Sequence, residues 1–164
     1  MKNKLILLCG MSNSGKSTYC SSTIHSNPNT HVRVNRDKIR EMLFSYTEKD
    51  IYNYYHRTDI RSLEEMVTEV ENKLIKHFLN FGKNVIVDAT HLKAKYLNRF
   101  HMFDCEKEIL MFDISLEEAK ERNSKRERRV DEAILFKQYD DYQNIKIFLT
   151  KNNLKFNYIC IKGI

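Results

Sequence analysis

With 164 residues the chain has the size of one domain, large enough for a sizeable core and too small for a second catalytic module. Its formal net charge of +6 at pH 7 favours a polyanionic partner, and Cys9, Cys20, Cys105 and Cys160 are too scattered for a zinc site and read as reduced thiols. No apolar run is long enough for a membrane span and no signal-peptide pattern is visible, so neither secretion nor membrane insertion is expected and a cytoplasmic location is.

The first predicted element is a buried strand, Leu5-Ile6-Leu7-Leu8-Cys9, and Gly10-Met11-Ser12-Asn13-Ser14-Gly15-Lys16-Ser17-Thr18 follows it directly. A strand, a G-x-x-x-x-G-K-S segment and a helix in that order make a phosphate-binding loop. Glycines let successive backbone N–H groups converge on phosphate oxygens, and the helix adds its positive end. Gly10, Ser12, Asn13, Ser14, Gly15, Lys16, Ser17 and Thr18 are therefore the expected ATP cradle. Lys16 supplies mobile charge to the β- and γ-phosphates, and Ser17 offers its hydroxyl to Mg²⁺.

A second strand is predicted at His31-Val32-Arg33-Val34, ending at Asn35-Arg36-Asp37, and a helix over 38–44 with Asp37 as its N-cap. Polar groups at the carboxyl end of a parallel strand sit where such sheets place their chemistry. Asp37 is the candidate base or orienter of an acceptor hydroxyl, and Arg40, one turn on, can hold an acceptor phosphate. A cap with a surface ion pair is the plain alternative. The region 50–81 then reads as a long helix with a short one before it, closed by Gly82.

Val85-Ile86-Val87 forms a further buried strand and gives Asp88 a rigid mount, either for Mg²⁺ through water or for the acceptor site, with a helix cap as the plain reading. His91 reads as a polar lining or surface residue. A helix over 94–103 follows, with Lys93, Lys95 and Arg99 either tracking an acceptor's phosphates or forming a solvated face. Beyond a strand over 108–113, Ser115 caps a helix over 116–123, with Glu118 placed for a capping box. Arg122 and Arg126 share a face if that helix continues, and the charged run 124–129 reads as a lid carrying arginine toward ATP. A helix over 131–148 and a strand over 156–161 complete an α/β fold: about five strands, mostly parallel, interleaved with helices in one domain spanning 1–164.

Together these segments resemble the 5′-hydroxyl polynucleotide kinase family, most closely the kinase domain of its bacteriophage end-healing kinase–phosphatases. The segment Val34-Asn35-Arg36-Asp37-Lys38-Ile39-Arg40 is similar to the family segment with the general base and an arginine on the acceptor's 3′-phosphate. Val87-Asp88-Ala89-Thr90 resembles the strand end that holds the acceptor region, and Arg122-Asn123-Ser124-Lys125-Arg126 resembles the arginine lid. The resemblance implies a P-loop kinase fold and ATP- and Mg²⁺-dependent phosphorylation of 5′-hydroxyl RNA or DNA ends. It also implies Lys16, Asp37, Arg40 and Arg126 as catalytic residues, Arg122 and Arg126 on ATP, Asp88 on the acceptor, and self-association as an option. Ala89-Thr90-His91 lacks the family's asparagine and Glu127 replaces a glycine, departures that bear on acceptor contacts and lid mobility rather than on ATP binding. No Asp-x-Asp-Gly-Thr phosphatase signature is present, so a kinase alone is expected, with a small-molecule or nucleoside kinase as the alternative.

Overall fold

A computed structural model describes residues 3–45, 54–127 and 129–159. Strand β1 (Lys4–Cys9) is apolar and buried along nearly its whole length, as a strand covered on both faces must be. Its side chains alternate between two cores. Leu5, Leu7 and Cys9 join one with Val67, Ile75, Tyr142 and Leu149, while Ile6 and Leu8 join the other with Cys20 and Phe112.

The remaining elements follow in order: α1 (Lys16–Ser26), β2 (His31–Asn35), α2 (Arg36–Phe44), α3 (Ile60–Asn80), β3 (Asn84–Asp88), α4 (Ala94–Asn98), a 3₁₀ turn (Arg99–Met102), β4 (Glu106–Phe112), α5 (Leu116–Ser124), α6 (Glu132–Lys151) and β5 (Asn157–Ile159). The sheet runs β2-β3-β1-β4-β5 with every pairing parallel, which sharpens the expectation of a mostly parallel sheet. The chain leaves β1 to one side for β2 and β3, then crosses to the other for β4 and β5. The crevice at the carboxyl ends around β1 is therefore where a ligand belongs. No described helix is long and apolar enough to cross a membrane.

Several element boundaries differ from the sequence expectation, each for a local reason. Helix α2 begins at Arg36, because the side chain of Asn35, not of Asp37, accepts from Lys38 N (2.9 Å). Asp37 lies in the first turn, where the helix's positive end favours a carboxylate. The helix expected over 94–103 divides into α4 and the 3₁₀ turn. Leu97, Phe100 and Phe103 are buried at a spacing of three residues, which matches the 3₁₀ repeat rather than 3.6. Ser115 caps α5 by accepting from Glu118 N (3.1 Å), but the Glu118 carboxylate is engaged by Arg122 (2.6 Å) instead of closing a capping box. The long helix α3 starts at Ile60; the short helix expected before it falls largely outside the described residues, as do Arg128 and the end of the last strand from Cys160.

Candidate active site

Two residues in the left-handed region, Asn13 (φ 66°) and Gly15 (φ 90°), turn the chain between β1 and α1. Gly10 serves a different need: a Cβ there would lie 2.9 Å from Phe112 Cβ and 2.9 Å from Ser14 Oγ, so only glycine lets the loop pass the end of β4. Gly10 N donates to Thr90 O (3.0 Å), pinning the start of the loop to the segment after β3.

Lys16 is buried and its Nζ donates to Met11 O (2.7 Å) and Ser14 Oγ (3.3 Å). Burial lowers its pKa to about 8, an effect that nearby Asp88 opposes in part. The ammonium is thus hydrogen-bonded only to neutral oxygens at the mouth of an anion-binding loop, and a polyanion arriving there meets a charge that Asp88 compensates only in part.

Asp88, almost fully buried at the end of β3, accepts at Oδ2 from Ser17 Oγ (3.1 Å), Asn35 Nδ2 (3.3 Å) and Arg33. It is not a helix cap. The β2–β3 register sets Asn35 directly beside Asp88, so the carboxylate stands between the phosphate loop and the start of α2. Among the described residues no cluster of three His, Cys, Asp or Glu can hold a metal. The Ser17 hydroxyl beside the Asp88 carboxylate suits Mg²⁺, which keeps most of its ligands as water and phosphate. Ser17 would be the residue to hold the ion, and Asp88 could accept from a water bound to it.

A second polar cluster is built from α2 and α3. Arg40 NH1 donates to Asp37 Oδ1 (2.7 Å), and its Nε and NH2 form a two-point contact with Glu64 (2.7 and 2.8 Å). Arg40 is nearly buried whereas the Asp37 side chain is 56% exposed, so the pair presents a carboxylate outward on a fixed arginine. Burial opposes Glu64's charge, yet bonds from Arg40, Tyr54 and Arg36 hold its pKa down at about 2. Arg36 extends the network to Glu71 (2.6 Å), a carboxylate with no exposure, which Arg99 also contacts. Arg99 is therefore neither a solvated residue nor a free phosphate contact.

The segment of α5 and the residues just after it meet the phosphate loop at Asn13. Its backbone oxygen accepts from Arg122 (3.2 Å), its Oδ1 accepts from Arg126 (2.7 Å), and its Nδ2 donates to Ala119 O and to Asn123 Oδ1 (both 3.2 Å). Arg122 and Arg126 both reach Asn13, but α5 ends at Ser124 and Arg126 lies just beyond it, so they do not share one helical face. His91 is buried rather than lining a surface: a ring nitrogen bonds Leu8 O (2.7 Å), and burial lowers its pKa to about 4. Sequence reasoning missed Glu64, Glu71 and Gln138; the last accepts from Ser12 N through Oε1 (2.7 Å). Glu71 had a visible signal, an acid within the buried stripe Val67, Glu71, Ile75. Gln138 had none.

Thus Gly10, Ser12, Asn13, Ser14, Gly15, Lys16, Ser17 and Thr18, with Asp88, Arg122 and Arg126, gather at the carboxyl end of β1, and Asp37 with Arg40 lies on the neighbouring side beyond β3. A family model described as "AAA domain" matches residues 5–145. A viral protein named "Putative bifunctional polynucleotide kinase/RNA ligase", from Autographa californica nuclear polyhedrosis virus, is 30% identical over 165 residues, covering 93% of this chain and 22% of its own length. A chain of the Pnkp1/Rnl/Hen1 RNA repair complex superposes with a TM-score of 0.73 at 26% identity, over 89% of this chain and 46% of that one. A gluconokinase from Sinorhizobium meliloti 1021 gives a TM-score of 0.60 at 14% identity over 99% and 85%, a likeness of fold alone. The chain spans about a fifth of the length of the viral relative and under half that of the repair-complex chain.

Proposed function

We propose that this chain, which belongs to the AAA-domain family of P-loop proteins, is an ATP-dependent kinase that phosphorylates the 5′-hydroxyl end of a polynucleotide. The observation that carries this reading is the Asp37–Arg40–Glu64 arrangement: an outward carboxylate held by a buried arginine, one sheet position beyond the Ser17–Asp88 pair. A nucleotide-dependent binding protein needs the loop but not this second group. The relatives named for polynucleotide kinase and RNA repair support the choice of acceptor.

In this mechanism Asp37 accepts the proton of the attacking hydroxyl as its oxygen bonds to the γ-phosphorus, and the bond to the β-phosphate oxygen breaks to release ADP. Lys16 and the loop N–H groups hold the donor phosphates. Arg126, released from Asn13, meets the charge moving toward the leaving oxygen. Ser17 would hold Mg²⁺, which would neutralise part of the charge on the donor phosphates. Arg40 fixes Asp37, and the N–H groups of its guanidinium not spent on Asp37 and Glu64 are the donors left for a phosphate next to the acceptor nucleoside.

The test is transfer of labelled γ-phosphate from ATP with Mg²⁺ to matched 5′-hydroxyl RNA and DNA oligonucleotides, with nucleosides and gluconate alongside. End-labelling of an oligonucleotide is the expected result. Transfer to a small acceptor alone would overturn the polynucleotide assignment.

A further inference from the structure

Beside the Asp37–Arg40 pair lies an aromatic residue that the phosphoryl-transfer chemistry leaves unused. Tyr54 and Tyr55 are adjacent in sequence yet differ sharply in environment: Tyr54 is 1% exposed and Tyr55 48%. Tyr54 is tied down by its hydroxyl, which donates to Glu64 Oε1 (2.7 Å), and by the ring of Phe44 with centroids 5.8 Å apart. Tyr55 meets the Tyr54 ring edge to face, at 5.2 Å and 83°, and the Arg40 guanidinium carbon stands 5.7 Å from its centroid. An exposed ring is thus held by a buried ring and a buried cation that also holds Asp37. Its position is set by the same residues that position the base.

We infer that Tyr55 is a stacking platform for the terminal base of the acceptor strand, a positioning residue of the acceptor site. The inference rests on the proposed polynucleotide kinase reading and adds what holds the end of the strand. A 5′-hydroxyl on a flexible end must be brought to Asp37 repeatedly in one orientation, and phosphate contacts alone leave the nucleoside free to swing about its backbone. A flat apolar face beside the base-holding arginine removes that freedom. It accepts any base, because every base has a π-face, so it confers selectivity for a nucleobase-bearing end without sequence preference. The ordinary role of such a ring, shielding the Arg40–Glu64 pair from water, makes no distinction between acceptors.

That difference is the test. A 5′-hydroxyl decamer and the same decamer with an abasic terminal position, each carrying a 3′ fluorophore, are compared by anisotropy and by phosphate transfer with the wild type, Tyr55→Ala and Tyr55→Phe. Base stacking predicts that the wild type favours the intact end by roughly 5- to 150-fold in binding and in kcat/KM. Tyr55→Phe keeps that preference, Tyr55→Ala loses it, and the KM for ATP stays put in both. A Tyr55→Ala protein that still prefers the intact end, or that weakens equally on both acceptors, overturns the stacking role. Base-dependent binding through Tyr55 without any transfer would keep the platform and sink the kinase reading. Transfer with no preference in the wild type would do the reverse.

Discussion

The two halves of the site are held in opposite ways. On the proposed donor side the lysine is held by neutral oxygens, Met11 O and Ser14 Oγ, and Ser12 N by Gln138, while the charged groups that touch the loop, Asp88 at Ser17 and Arg122 and Arg126 at Asn13, bond to neutral atoms of it. On the proposed acceptor side Arg36, Arg40 and Arg99 are offset by Asp37, Glu64 and Glu71. A site for a polyanion gains from leaving its cation uncompensated, because the ligand itself supplies the counter-charge. A site that must orient a base gains from spending its charges on one another, since paired guanidinium and carboxylate groups fix geometry.

The largest test of this contrast is a pair of substitutions. Lys16→Ala removes charge the donor needs and should lower transfer roughly 100- to 1,000-fold while weakening ATP binding. Asp37→Asn removes the proton acceptor and should lower kcat by about 100- to 10,000-fold with ATP affinity unchanged. Equilibrium ATP binding beside single-turnover transfer separates the two. If Asp37→Asn also lost ATP binding, the division of the site into halves would fail.

Next in size is Glu71→Ala, which tests whether the acceptor side depends on its buried carboxylate. Removing it leaves Arg36 and Arg99 without their shared partner in the interior, a loss of about 3–5 kcal/mol. For a chain of this length that corresponds to a melting temperature lower by roughly 6–20 °C. Thermal unfolding should show this drop. A change of only a degree or two would mean that water already shares Glu71 with its partners.

The same contrast explains what was legible in the sequence. The donor side is local: its loop, lysine and serine lie within nine successive residues, so spacing alone fixes how they meet. Asp37 and Arg40 were readable for the same reason, one turn apart on a helix. The acceptor network was not, because Glu64 reaches Arg40 across 24 residues and Glu71 reaches Arg36 across 35. Only the packing of α3 on α2 brings them together, and apolar periodicity names the buried face of a helix without naming its neighbour. The strand order was hidden by the same gap. The sequence offers Asp37 both as a cap and as a catalytic carboxylate, because the strand before it reads as ending at Val34; β2 runs to Asn35, and that residue takes the cap.

The smallest expected effect concerns protons. Burial leaves the folded, ligand-free Lys16 with a pKa of about 8, below the 10.5 of the free side chain. With the folded pKa depressed, the unfolded chain binds more protons between these values, so this residue makes stability rise with pH from about 8 toward 10.5. Triphosphate binding works the other way: negative oxygens beside Nζ favour the ammonium and return its pKa upward. ATP should therefore bind with uptake of close to one proton at pH 9 and little at pH 7, and its affinity should fall by up to about tenfold per pH unit above 8. Calorimetry at pH 9 in buffers of different ionisation enthalpy measures the uptake directly. Lys16→Arg should abolish it, because a guanidinium stays charged throughout. Equal binding heats in all buffers for the wild type would show that another group already compensates Lys16, and the donor half would then be held as the acceptor half is.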